Sequence, residues 1–105
     1  MKILVSAITE NPVSLMRRAG YAFQREDAGE MSFVRVLGTQ GYPRFHCYTK
    51  VSGITLSINL HLDQKKHTYG EGTRHHGEYE DPGAVQEEAQ HTMKVFGAKA
   101  ALVQN

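Results

Sequence analysis

Four of the six histidines, His61, His67, His75 and His76, fall in one short stretch that also carries Asp63, Glu71, Glu78, Glu80 and Asp81 and almost nothing apolar. Imidazole and carboxylate bind transition metals and move protons near neutral pH, and a fold has no need to collect them in one place. His61 and Asp63 alternate onto one face of a strand, and a loop returning over them would bring His75 or His76 into a set of three or four ligands. The cofactor this predicts is a divalent transition metal, Zn²⁺ or Ni²⁺. Such an ion would lower the pKa of bound water, with His46 or Glu78 relaying protons, which makes a metal-binding protein of the hydrolase or nuclease type the first functional reading. The spacing fits no paired-cysteine knuckle and no histidine pair four apart on a helix, so this reading rests on local density alone.

A second group lies on the strands before that stretch. Arg44, His46, Tyr48, Lys50 and Asn59 combine cationic groups, an amide and rings able to stack on bases, the combination used to hold single-stranded RNA. Cleavage of such a strand would need a group titrating near neutrality, for which His46 and His61 are the candidates. A third reading is a noncatalytic domain that meets a protein partner through a sheet edge or the long loop.

The elements that must position these residues can be read from period and punctuation. Asn11-Pro12 starts a helix whose apolar stripe is Val13, Leu15, Met16 and Ala19, and Gly20 ends it in a left-handed cap. Residues 21–26 and 32–37 form a hairpin around Asp27-Ala28-Gly29-Glu30, with Arg25 opposite Ser32, Phe23 opposite Val34 and Tyr21 opposite Val36. A second hairpin joins residues 42–51 to 54–63 through Ser52-Gly53, placing Val51 opposite Ile54. One of its faces carries Pro43, Phe45, Cys47, Thr49 and Val51 against Ile54, Leu56, Ile58, Leu60 and Leu62. The other pairs Tyr42 with Asp63, Arg44 with His61, His46 with Asn59, Tyr48 with Ser57 and Lys50 with Thr55. A slip by one residue would bury the polar set, so the pattern fixes which face is wet.

Residues 64–80 show neither a helical nor a strand period and read as a His-rich loop, functional or disordered. Asp81-Pro82 repeats the cap-and-proline signal, and Val85, Ala89, Thr92, Met93 and Phe96 make one stripe of a second helix. Gly97 ends it, leaving residues 98–105 as a short helix or loose chain. Cys47 alternates onto the apolar face and reads as a buried, inert thiol.

At 105 residues and 40% hydrophobic content, the chain fits one domain over 1–105. The expected fold is α+β: an antiparallel sheet of three to four strands with two helices packed on one face, in the order α-β-β-β-β-α. Lysine and arginine outnumber the acids by 12 to 11, so any nucleic acid must be held by a local patch rather than by bulk charge. One cysteine excludes an internal disulfide, and with no secretory h-region and no membrane span the expected compartment is the cytoplasm.

The stretch from Leu15 to Arg25, Leu-Met-Arg-Arg-Ala-Gly-Tyr-Ala-Phe-Gln-Arg, followed by Gly29, resembles the helix-to-strand entry of the HicA-type bacterial toxins. These are small mRNA interferases with a double-stranded-RNA-binding-domain-like fold, and the resemblance covers about a fifth of the chain. It implies that fold and an RNA substrate. The family's Gly-Ser-His turn is Gly29-Glu30-Met31 here, so its catalytic histidine has no counterpart at that place.

Overall fold

The hairpin of β4 (Arg44–Ser52) and β5 (Thr55–Asp63) is the centre of the molecule in a computed structural model that describes residues 1–64 and 82–103. The remaining elements are β1 (Lys2–Val5), α1 (Pro12–Arg18), β2 (Ala22–Asp27), β3 (Glu30–Val36), α2 (Pro82–Phe96), a 3₁₀ turn (Gly97–Lys99) and β6 (Ala100–Val103). The described strands form one six-stranded sheet in the order β2-β3-β4-β5-β1-β6, antiparallel at each of its pairings. The α+β class stands, but the expected three to four strands and the α-β-β-β-β-α order do not. A strand precedes the first helix and pairs with β5, and another follows the second helix and pairs with β1 at the sheet edge.

The missing strands have a physical explanation. Residues 2–5 and 100–103 are runs of four, too short for a period to separate strand from coil. They become strands only by pairing with residues far along the chain, Ile3 with Ile58 and Leu102, Val5 with Leu56 and Ala100. The tail expected as short helix or loose chain begins in the 3₁₀ turn and continues from Ala100 to Val103 as strand.

The central hairpin keeps the expected faces but shifts its register by two residues. Ser52 pairs with Thr55, so the turn is Gly53-Ile54, and Gly53 has φ of 64°. A two-residue hairpin of the II′ type takes its positive φ at the first turn position, where glycine is free to adopt it. The expected turn would have put Ser52 there. A slip of two leaves every side chain on its own face and changes only its neighbours.

In the first hairpin, Arg25 is opposite Ser32 as expected, but the two pairs beyond it fail. The register shifts between Phe23 and Arg25, so Phe23 meets Phe33 and Ala22 meets Val34. The extra residue, Gln24, is a bulge; it moves Phe23 off the face that Arg25 occupies and onto the core face. There its ring meets Phe33 edge-on at 5.7 Å. Tyr21 is no strand residue: it is buried, and its amide closes the end of α1.

The ends of α1 form as the sequence indicates. The Asn11 side chain accepts from the Ser14 amide at 2.9 Å. Gly20, at φ of 92°, donates to the Arg17 carbonyl while Tyr21 donates to that of Met16, the paired bonds of a Schellman cap. On α2 the buried residues are Val85, Glu88, Ala89, Thr92 and Phe96. Both helices join one core with Ile3, Val5, Phe33, Phe45, Cys47, Leu56, Ile58, Leu60 and Leu62, which places them on the same side of the sheet. Among the described residues no helix is long and apolar enough to cross a membrane. The expected His-rich loop at 64–80 lies outside the described residues, apart from Gln64.

Candidate polar face of the sheet

The sheet face turned away from both helices is built by alternation. Phe45, Cys47 and Thr49 on β4 and Leu56, Ile58, Leu60 and Leu62 on β5 are buried, so Arg44, His46, Tyr48 and Lys50 and Ser57, Asn59, His61 and Asp63 must project the other way. The two-residue register shift decides which of these meet. Arg44 stands opposite Asp63 instead of His61, His46 opposite His61 instead of Asn59, and Tyr48 opposite Asn59 instead of Ser57.

The consequence is a tight cluster at one end of the face. One carboxylate oxygen of Asp63, Oδ2, lies 3.3 Å from Arg44 Nε and 3.4 Å from His46 Nδ1. The Arg44 guanidinium sits over the Tyr42 ring at 4.6 Å from its centroid, an arrangement in which cation and ring hold each other in place. Tyr48 packs beside the two imidazoles, 4.6 Å from the His46 ring and 5.9 Å from that of His61, the latter edge-on. Asn59 is next to Tyr48 on one side and Lys2 on the other. Lys2 and Lys50 are exposed, and among the described residues neither has a carboxylate at ion-pairing distance.

His46 has been drawn into the fold more than a reactive histidine would be. Its Nδ1 faces Asp63, and its Nε2 is buried with no hydrogen-bond partner among the described residues. Burial lowers its pKa below the ordinary 6.5; Asp63 opposes that shift, and Arg44 and His61 add to it. A depressed value means the unfolded chain binds the proton more readily, so the contribution of His46 to stability is complete above pH 6.5 and is lost as pH falls through the folded value. Urea midpoints measured from pH 7.5 downward should therefore fall more steeply for the wild type than for His46→Gln. Equal slopes would show that His46 is not desolvated in the native state.

The metal-ligand set is only half within view. Among the described residues no three of His, Cys, Asp and Glu are placed to hold a metal ion, although His46, His61 and Asp63 are neighbours. His75 and His76 lie outside the described residues, as do His67, Glu71 and Glu78. For the catalytic candidates, the geometry brings His46 and His61 together across two strands, yet the remaining nitrogen of His46 is enclosed. Cys47 is fully buried, and burial pushes its thiol up to about 12, which fits the inert role read from its alternation.

A second polar group, on the helix side, was not read from the sequence. Glu88 of α2 is 4% exposed; it accepts from Arg35 at both oxygens, 2.9 Å from Nε and 2.5 Å from a terminal nitrogen, and from the Tyr21 hydroxyl at 2.6 Å. Glu88 raises the Arg35 pKa, and burial raises that of Tyr21 far beyond its ordinary value, so the charged pair and the donating phenol all persist. The signal was available: Glu88 lies within the stripe Val85, Ala89, Thr92, and Arg35 shares the parity of Phe33. This group ties α2 to β3 and to the end of α1, and it is enclosed rather than open to a ligand. Compared with known protein families, curated proteins and solved structures, the chain gives no match.

Proposed function

We propose that the polar sheet face binds single-stranded RNA, with Tyr48 as the stacking platform, Asn59 as the amide beside it and Lys50 as a phosphate contact. The observation that supports this reading is the make-up of the face that carries neither helix: rings, an amide and lysines on adjacent strands of a rigid sheet. Stacking on an aromatic ring tolerates any base, and a sheet holds its rings at fixed spacing. The proposed role is retention rather than cleavage by a histidine pair, because His46 has Nδ1 turned to Asp63 and Nε2 enclosed, which leaves no second imidazole to share proton transfer with His61 among the described residues of this face. The RNA partner also agrees with what the HicA-like stretch implies. That stretch itself forms α1, its cap and the start of β2, where it supports the core rather than the polar face.

Fluorescence anisotropy with a labelled mixed-sequence RNA oligomer, at low salt and with chelator present, tests the reading. Binding should persist in chelator, and Tyr48→Ala should weaken it by about 1 to 3 kcal/mol through lost stacking. Absence of binding at low salt would remove RNA as the ligand. Binding that requires an added divalent ion would return weight to a metal site completed by His75 or His76.

A further inference from the structure

We infer that Lys2 is a phosphate anchor of this face, acting with Lys50, and that Arg44 is a positioning residue and not an anchor. The inference rests on the RNA-binding reading and says which groups meet the backbone of that RNA. Lys2 enters because β1 lies inside the sheet, between β5 and β6, with Ile3 and Val5 fully buried on the helix side. Alternation then fixes Lys2 on the polar face, directly beside Asn59. The row Ser32, Tyr48, Asn59, Lys2 runs across four adjacent strands.

Spacing and charge state decide the roles. Neighbouring strands are about 4.8 Å apart and a strand rises about 3.4 Å per residue, so Lys2 begins about 10 Å across the sheet from Tyr48 and Lys50 about 7 Å along it. A base stacked on Tyr48 thus has a long cationic side chain on two sides. Both lysines are exposed and free of described carboxylates, so each brings a whole charge with its own counterions to a phosphate. Arg44 does not: its charge is matched by Asp63 at 3.3 Å, and its guanidinium lies on Tyr42. What Arg44 does is hold the Tyr42 ring at the corner of the face.

The salt dependence of RNA affinity separates these roles, since each phosphate neutralised on a single strand contributes about 0.7 to the slope of log K against log salt. Lys2→Gln and Lys50→Gln should each reduce the slope by about that amount. The double substitution Arg44→Gln/Asp63→Asn removes an ion pair at constant net charge; it should leave the slope unchanged even where affinity falls. An unchanged slope in Lys2→Gln, or a reduced one in the double variant, overturns the inference while the RNA-binding reading survives. Failure of the wild type to bind at low salt instead overturns the reading and, with it, this assignment. Lys2 and Lys50 are surface residues, so their variants fold, and circular dichroism checks that they do.

Discussion

Replacing Glu88 by alanine should lower the unfolding free energy by about 3 to 5 kcal/mol, the usual cost of removing one partner from a buried ion pair. The loss falls unequally on its two partners. Arg35 keeps a side chain about a third exposed and can turn partly toward water, which moves the expected cost to the lower end of that range. Tyr21 is 2% exposed and cannot rehydrate, so its hydroxyl would be left as a buried donor with only the weakly accepting Cys47 sulfur beside it. Two further variants separate the pair's geometry from its charge. Glu88→Gln keeps one acceptor oxygen and should cost less than alanine, whereas the triple change Glu88→Leu/Arg35→Met/Tyr21→Phe removes every polar partner together and should recover most of the loss. Chemical denaturation monitored by circular dichroism measures all three. A cost below about 1 kcal/mol for Glu88→Ala would mean that the contact is made by a solvated surface pair, as exposed ion pairs usually are.

The parts of the fold that were legible are those dictated by neighbours in the chain. The Asn11 cap, the Gly20 cap and the stripe of α2 each depend on a few consecutive residues, and all three form. The wet and dry faces of β4 and β5 were legible for the same reason, because alternation is a local property. What was not legible depends on partners distant in sequence. Residues 2–5 have no strand signal until β5 and β6 flank them, so Lys2 was absent from the candidate site although it stands beside Asn59. The bulge at Gln24 sets Phe23 against Phe33 instead of Val34 while leaving it 46% exposed, and no turn residue nearby announces it. The Glu88 group combines residues 53 and 67 positions apart. Composition marks such residues as polar, and only tertiary packing makes them internal.

Leu60→Ala should cost about 2 to 5 kcal/mol, while Ile54→Ala, in the same strand pair and also aliphatic, should change stability by less than about 0.5 kcal/mol. The contrast follows from the register. Leu60 is fully buried, pairs with Cys47 and has α2 and α1 residues in the same core, so truncation leaves a cavity that the surrounding sheet cannot close. Ile54 is 64% exposed at the turn, where the side chain already faces water and its removal opens no void. In the register with Val51 opposite Ile54, Ile54 would instead be the first paired residue of β5 on the apolar face, and its truncation would remove a cross-strand contact. The two substitutions thus read the turn as well as the core. Comparable losses at both positions would place Ile54 in the ladder and would separate His46 from His61, Arg44 from Asp63 and Tyr48 from Asn59. The arrangement of the polar face therefore stands or falls with a stability measurement made on its opposite side.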